Sequence, residues 1–421
     1  MRIAKARFVD PDCNQLFGTV AVAVSVFVFA YSIRFGQVSI LLYYACWLPL
    51  ILIDYRRSLG HPGRFLWIAL FSIFVLLSVF WSSAPSVTAR AGVQYFTHVL
   101  CALIAARTVG VRTFSYGMLA GVAIVLLYSL AYGSYQYDAL DGTYSFVGAF
   151  ESKNQLGLFA SIGLYFAFAL AIILRERGLG LLVCCAVAAL CAQCLVASQS
   201  ATSIIACAAT IATTFGLSAA LLFPPRLRKI VFFSALVIGL GGMVVALNAG
   251  LVDLILGAFG KDSTLTGRTY LWSQGLAAWH RAPTFGVGYR AFWVPGFPDA
   301  ERLWDEFYIT AKSGFHFHDT YIEILVELGT VGLILFVLLL LWILGGHLLR
   351  LLSDHRNLVS HMMVGLCLML LVRSFFELDT LPPYTIGAFL LYYAAGLLAT
   401  SQATWRLVAE DEEPEEAFSP G

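Results

Sequence analysis

Polar and apolar positions in this chain are sorted into long blocks, not into the short alternation of a half-buried strand or a surface helix. Apolar runs long enough to cross a hydrocarbon core of about 30 Å as helices recur along its length. They fall at 16–33, 37–53, 65–81, 93–109, 114–132, 155–174, 179–196, 201–223, 229–250, 320–344, 358–377 and 384–400. The pattern predicts an all-α, polytopic integral membrane protein of about twelve transmembrane helices. The first run is followed directly by another, with no cleavable signal evident, so it reads as a retained span. One interval breaks the rhythm, a polar stretch at 251–319. It divides the chain into a leader at 1–15, a bundle of about nine spans at 16–250, a large extracytoplasmic loop at 251–319, three spans at 320–400 and a tail at 401–421.

Composition agrees with the pattern. Apolar residues make up 60% and charged residues only 12%, well short of the quarter or so found in soluble globules. The basic residues then orient the bundle. With the N-terminus in the cytoplasm, inner loops collect Arg2, Lys5 and Arg7, Arg56, Arg57 and Arg64, Arg107 and Arg112, Arg175 and Arg177, Arg226, Arg228 and Lys229, and Arg350 and Arg356; Arg406 lies in the tail. Short outer loops hold only Arg34, Arg90 and Lys153, as the positive-inside rule asks. Both termini are therefore expected in the cytoplasm. The tail, with Glu410-Asp411-Glu412-Glu413, reads as a disordered acidic segment.

The outer interval carries the candidate chemistry. It holds Gly267-Arg268, Trp272, Trp279, Pro283, Phe285-Gly286-Val287-Gly288-Tyr289-Arg290 and His316-Phe317-His318-Asp319. Its cationic groups call for an anionic substrate. Arginine suits a diphosphate because its planar fork binds phosphate oxygens bidentately and stays charged. Arg268 and Arg290 are the candidates, with Gly267 and Gly288 nearby to let backbone approach a ligand, and Lys153 with Asn154 could complete the cradle. His318 is the candidate general base, since an uncharged imidazole is available near neutral pH. His316 lies two residues earlier, which is also metal-site spacing. A zinc reading needs further ligands, of which only Asp319 and Glu323 are conceivable, so no metal is assigned. Asp319 could orient an imidazole, contact sugar hydroxyls or cap the following helix.

Other features have plainer readings. Trp272, Trp279, Trp293 and Trp304 read as interface anchors or as walls of a glycan groove. Arg373 and Glu377, four apart in the eleventh span, read as a mutual salt bridge, with diphosphate contact by Arg373 as the alternative. The nine cysteines read as small apolar residues, Cys191 and Cys194 included. Asp10 and Asp12 spell a D-x-D, but ahead of the first span and on the other face.

The ordered set Gly267-Arg268, Trp272, Pro283, Gly286-Val287-Gly288, His318-Asp319-Thr320-Tyr321 and Glu327-Leu328-Gly329 resembles the O-antigen ligase and Wzy-type polymerase family of bacterial envelopes. The resemblance is close over about 200 to 345. Lys153-Asn154-Gln155-Leu156-Gly157 matches a further element, and the overall character is similar to the exopolysaccharide polymerases of the ExoQ type. One departure stands out: Asp319 occupies a position where family members commonly have Asn. The resemblance implies a GT-C-like glycosyltransferase in the bacterial inner membrane. It would work at the outer face without sugar nucleotide, metal or other cofactor. Its donor would be a glycan on undecaprenyl diphosphate, and the reaction would join lipid-linked repeats into an exopolysaccharide or O-antigen chain. Ligation of a finished glycan onto a lipid-A core is the alternative within the family, and a transporter or flippase of lipid-linked sugars is the alternative from another class. Membrane lipid and a chain-length regulator are implied partners; nucleic acid is not.

Overall fold

Inside a bilayer every main-chain polar group needs an internal partner, and an apolar segment supplies its own only as a helix. Our computed structural model describes residues 5–60, 65–138, 143–250, 267–354 and 357–400. The expected calls on the first leader residues, on 251–266 and on the acidic tail lie outside the described residues. Among the described residues seven helices are long and apolar enough to cross a membrane: Gln15–Ile53, Val111–Tyr132, Lys153–Ile173, Gly178–Ser198, Ala201–Ala220, Pro225–Ala246 and Thr320–Ser353. Shorter apolar helices at Leu66–Phe80, Leu358–Ser374 and Ile386–Ala399 and the helix Pro85–Thr108 pack among them.

The first of these helices is two legs. The chain reverses at Gly36, whose φ of 64° with ψ of −155° is a region open essentially to glycine. Phe29 meets Tyr43 at 5.1 Å between ring centroids, and Trp47 Nε1 donates to Ser25 Oγ at 2.9 Å. Both pairs are symmetric about Gly36, so 16–33 and 37–53 lie antiparallel, as the two separate apolar runs predict.

Tracing helix directions gives the bundle two unlike ends. One end gathers basic side chains: Arg57 pairs with Asp10 at 2.9 Å, Arg112 with Glu176 at 3.2 Å, and Arg228 Nη1 donates to Asp354 O at 2.7 Å. Asp10 of the D-x-D is thus tied to an arginine there. The other end carries the polar segment after Gly267, which folds over it as a lid.

The lid has its own small core, in which Leu303, Trp304, Phe292 and Phe317 are buried and Trp279 and Trp293 pack alongside. Trp272 Nε1 donates to Phe317 O at 2.9 Å. Trp304 thus builds the lid's interior, Trp279 and Trp293 pack against it, and Trp272 ties the lid to the segment before the Thr320–Ser353 helix. The all-helical expectation also needs one amendment. Ser134–Asp138 and Thr143–Gly148 form an antiparallel hairpin at the lid end, with Tyr135 opposite Phe146 and Tyr137 opposite Tyr144. That period-two aromatic pattern suits a strand.

The lid is joined to the bundle through a break in the Thr320–Ser353 helix. Gly329 adopts φ 67° and ψ −170°, which no side chain tolerates well, and the helix ladder is interrupted there. The Pro283–Gly288 strip fills the gap. Val287 N donates to Val326 O at 3.0 Å and Gly288 N to Glu327 O at 2.8 Å. In return, Thr330 N donates to Pro283 O at 2.8 Å and Val331 N to Thr284 O at 3.2 Å. A Cβ on Gly329 would lie 2.3 Å from Thr284 O. Gly329→Ala is therefore expected to sharply reduce the folded, detergent-stable fraction in size-exclusion chromatography. Gly345→Ala, in the same helix with nothing within 4 Å of its Cβ position, is expected to leave that fraction intact.

Candidate active site

At the lid end four helix termini and one loop converge. Asp319 is the N-cap of the Thr320–Ser353 helix: its Oδ1 accepts from Tyr321 N at 2.8 Å and Ile322 N at 2.9 Å. Of the three uses read for Asp319, capping is the one seen. The segment before it is fixed through Phe317, whose N–H donates to Glu323 Oε2 at 3.0 Å while its carbonyl accepts from Trp272. His318 takes a left-handed φ of 54°, and its N–H donates to His316 Nδ1 at 3.0 Å. Burial, with the charges of His318, Arg290 and Arg268, holds His316 well below the ordinary histidine range. His316 is then a neutral acceptor that shapes the turn presenting His318.

Glu377 is the hub of the site. The Leu358–Ser374 helix stops three residues earlier, so Glu377 lies in the loop beyond it. Its Oε1 accepts from Asn154 Nδ2 at 2.7 Å and from Arg268 Nη2 at 3.1 Å. Its Oε2 faces His318 Nδ1 at 3.7 Å, longer than a hydrogen bond. Arg268 Nη1 also donates to Phe376 O at 2.9 Å, and Thr320 Oγ1 donates to Glu377 O at 2.7 Å. Burial alone would push the Glu377 carboxyl up; His318, Arg268 and Arg373 outweigh it and hold the group well below the usual carboxylate range.

Behind the hub runs a chain of polar groups. Ser200 Oγ donates to Asn154 Oδ1 at 2.8 Å and lies 2.9 Å from Ser203 Oγ, which accepts from Arg373 Nη1 at 2.6 Å. Arg373 Nε donates to Asp379 Oδ2 at 2.5 Å. The expected Arg373–Glu377 pair is thus replaced by Arg373–Asp379 and Arg268–Glu377. The i, i+4 rule presumes a helix continuing through residue 377, and here it has ended. The Arg373 side chain is 1% exposed with its fork on Asp379 and Ser203, whereas His318 keeps 28% and Arg268 14% of theirs open. Arg373 thus braces the site, and His318 and Arg268 are partly exposed.

Of the other residues singled out, Arg290 sits at a φ of 60°, and its charge acts on His316 and on the buried Glu323 and Glu327. Gly288 admits Ser82, whose Oγ lies 2.4 Å from where a Cβ would be, so its close approach serves packing and not a ligand. Lys153 is the first residue of its helix, next to Asn154 and the N-cap Ser152. The reading from sequence thus brings His318, His316, Arg268 and Asn154 together. It missed the hub role of Glu377, and Ser200, Ser203 and Asp379 entirely. The polar cluster Ser198, Ser200 and Ser203 between two apolar runs was the available signal.

His316, His318 and Glu377 present ligand-type atoms within 4.8 Å of one another. Glu377 thus joins the histidine pair in place of the Asp319 and Glu323 weighed from the sequence. His316 Nδ1 accepts a backbone N–H and Glu377 Oε1 accepts from Asn154 and Arg268, while Glu377 Oε2 and His318 Nδ1 face each other, and Arg268 and Arg290 place positive charge around the cluster.

Residues 186–337 match the O-antigen ligase family. Over 398 residues, 94% of this chain and 92% of its relative, the sequence is 55% identical to the exopolysaccharide production protein ExoQ of Rhizobium meliloti (strain 1021). The chain belongs to the ExoQ-type O-antigen ligase family. The family match spans the Ser200–Ser203 pair, Arg268, Arg290 and the His316–Glu327 stretch, whereas Asn154 and Glu377 lie outside it. The candidate site is therefore assembled in part from a helix and a loop outside the matched region. Family membership and the apolar helices together make this a multi-pass membrane protein of polysaccharide assembly.

Proposed function

We propose that this protein is a GT-C-like polymerase that joins undecaprenyl-diphosphate-linked oligosaccharide repeats into an exopolysaccharide at the outer face of the inner membrane. The carrying observation is the convergence of two partly exposed groups, Arg268 and His318, on the two oxygens of one buried carboxylate. In the reaction, the acceptor hydroxyl oxygen bonds to the donor's anomeric carbon while the bond from that carbon to the diphosphate oxygen breaks. His318 takes the hydroxyl proton. Arg268, with Arg290 and Lys153 at the margins, offsets the charge growing on the departing diphosphate. Asn154 and Arg373 hold the hub, Asp319 and His316 set the turn carrying the base, and no step requires a metal.

The topology that serves this chemistry has about twelve spans, with both termini and the basic end in the cytoplasm. Two crossings come from the reversal at Gly36. Ligation to a lipid-A core remains the second reading, favoured by the family match over 186–337; the relative's name favours polymer production. Purified protein in vesicles, given only lipid-linked repeats, is expected to form longer lipid-linked chains, with chelators leaving the rate unchanged. Product only after addition of lipid-A core would make it a ligase, and movement of intact repeats between leaflets without product would make it a transporter. In intact spheroplasts Ser313→Cys is expected to react with an impermeant thiol reagent; protection there would overturn the outer-face assignment.

A further inference from the structure

We infer that Glu377 is the positioning carboxylate of this site, holding the diphosphate-binding arginine and the base histidine in a single register. The inference rests on the proposed polymerase reading and adds a residue to it. Glu377 is 6% exposed, so it is not placed to meet substrate itself. Its two oxygens point to different partners: Oε1 to Arg268 and Asn154, Oε2 to the Nδ1 side of His318. His318 Nδ1 is buried and has no hydrogen-bond partner among the described residues, although a carboxylate oxygen stands 3.7 Å away. Such catalytic contacts are often long in the empty enzyme and tighten with substrate.

The geometry assigns the two ring nitrogens. Nδ1 faces Glu377, so Nε2 is left to take the acceptor's proton as the acceptor oxygen bonds to the anomeric carbon and the diphosphate departs. The imidazolium formed lies against a carboxylate that stabilises it and fixes the ring plane, as a buried acid does for a histidine base in other enzymes. The same carboxylate keeps Arg268 beside that histidine, so the leaving-group site and the proton acceptor cannot drift apart. Asn154 and Thr320, one on the side chain and one on the main chain of Glu377, keep the carboxylate from following either partner.

The test uses full-length protein in vesicles and lipid-linked repeats extracted from a polymerase-deletion strain. Turnover and equilibrium binding of the labelled repeat are measured for Glu377→Gln, Glu377→Asp, His318→Ala and the Glu377→Gln/His318→Ala pair. Glu377→Gln is expected to lower turnover about a hundredfold while binding stays within about threefold. Glu377→Asp is expected to restore part of the loss. The double variant is expected to be scarcely slower than His318→Ala alone, because the glutamine amide oxygen still accepts from Arg268 and the part of the site that the variant removes acts through the histidine. Multiplying losses, or binding that falls in step with turnover, would reduce Glu377 to a structural role and overturn the inference. Wild-type turnover in Glu377→Gln beside an inactive His318→Ala would remove Glu377 and leave the base assignment standing. Wild-type turnover in His318→Ala would remove both. Should Glu377→Gln fail to fold, Glu377→Asp decides alone: about tenfold slower turnover at unchanged binding supports the inference, and no change in either overturns it.

Discussion

Polymer is expected nearly to vanish from cells carrying His318→Ala, with unpolymerised lipid-linked repeats accumulating on the outer leaflet. Loss of a general base removes roughly 10² to 10⁴ in rate, equivalent to about 3–5 kcal/mol of barrier. The rest of the site should survive the change. The Phe317 main chain is held by Glu323 and Trp272, and the turn at His318 uses its backbone N–H, which alanine keeps. Donor binding should therefore persist, and the variant should purify like the wild type. Repeats trapped on the inner leaflet would point to a flippase. Polymer of near-normal length in a well-expressed variant would sink the base assignment. His316→Ala is expected to be milder, because its role is to accept one hydrogen bond behind the base.

The second large effect is expected at Arg268. Its guanidinium divides two donors between Phe376 O and Glu377 Oε1, and 14% of the side chain is exposed. A lysine keeps the charge but cannot span a carbonyl, a carboxylate and a phosphate together, so Arg268→Lys is expected to lose most activity, about a hundredfold, with weakened donor binding. Arg281 is the control. It is paired with Asp299 on the exposed lid surface, where an ion pair contributes about 0–1 kcal/mol, so Arg281→Ala should cost little. Equal and mild losses at both positions in a purified assay would indicate general surface electrostatics instead of a built diphosphate site.

Much of the bundle was legible because lipid removes choices: an apolar run must be a helix, and its length follows from bilayer thickness. The reversal at Gly36 was legible too, since Arg34 to Gln37 interrupts two such runs. Single-position chemistry was partly legible, in that His318 and Arg268 stood in a polar interval next to a helix start. What could not be read was which distant segments would meet. Glu377 looked like half of a salt bridge with Arg373 because four-residue spacing assumes a continuous helix, and the helix ends at Ser374. Asn154 and Ser200 come from two other segments, and their meeting with Glu377 depends on tertiary packing that leaves no periodic trace, whereas Asp379 shares the Glu377 loop and reaches Arg373 because the helix has ended. Trp304 is a smaller case of the same kind: its residue type suits an interface equally well, and only the lid's own core shows that it is buried.

The break at Gly329 has a consequence for how such proteins diverge. The strip from Pro283 to Gly288 supplies hydrogen bonds that the interrupted helix lacks, so lid and helix share one main-chain network. The lid is consequently not an exchangeable cassette. A chimera that joins one relative's lid to another's bundle should be viable when the strip and residues 326–331 travel together, and should misassemble when the crossover falls between them.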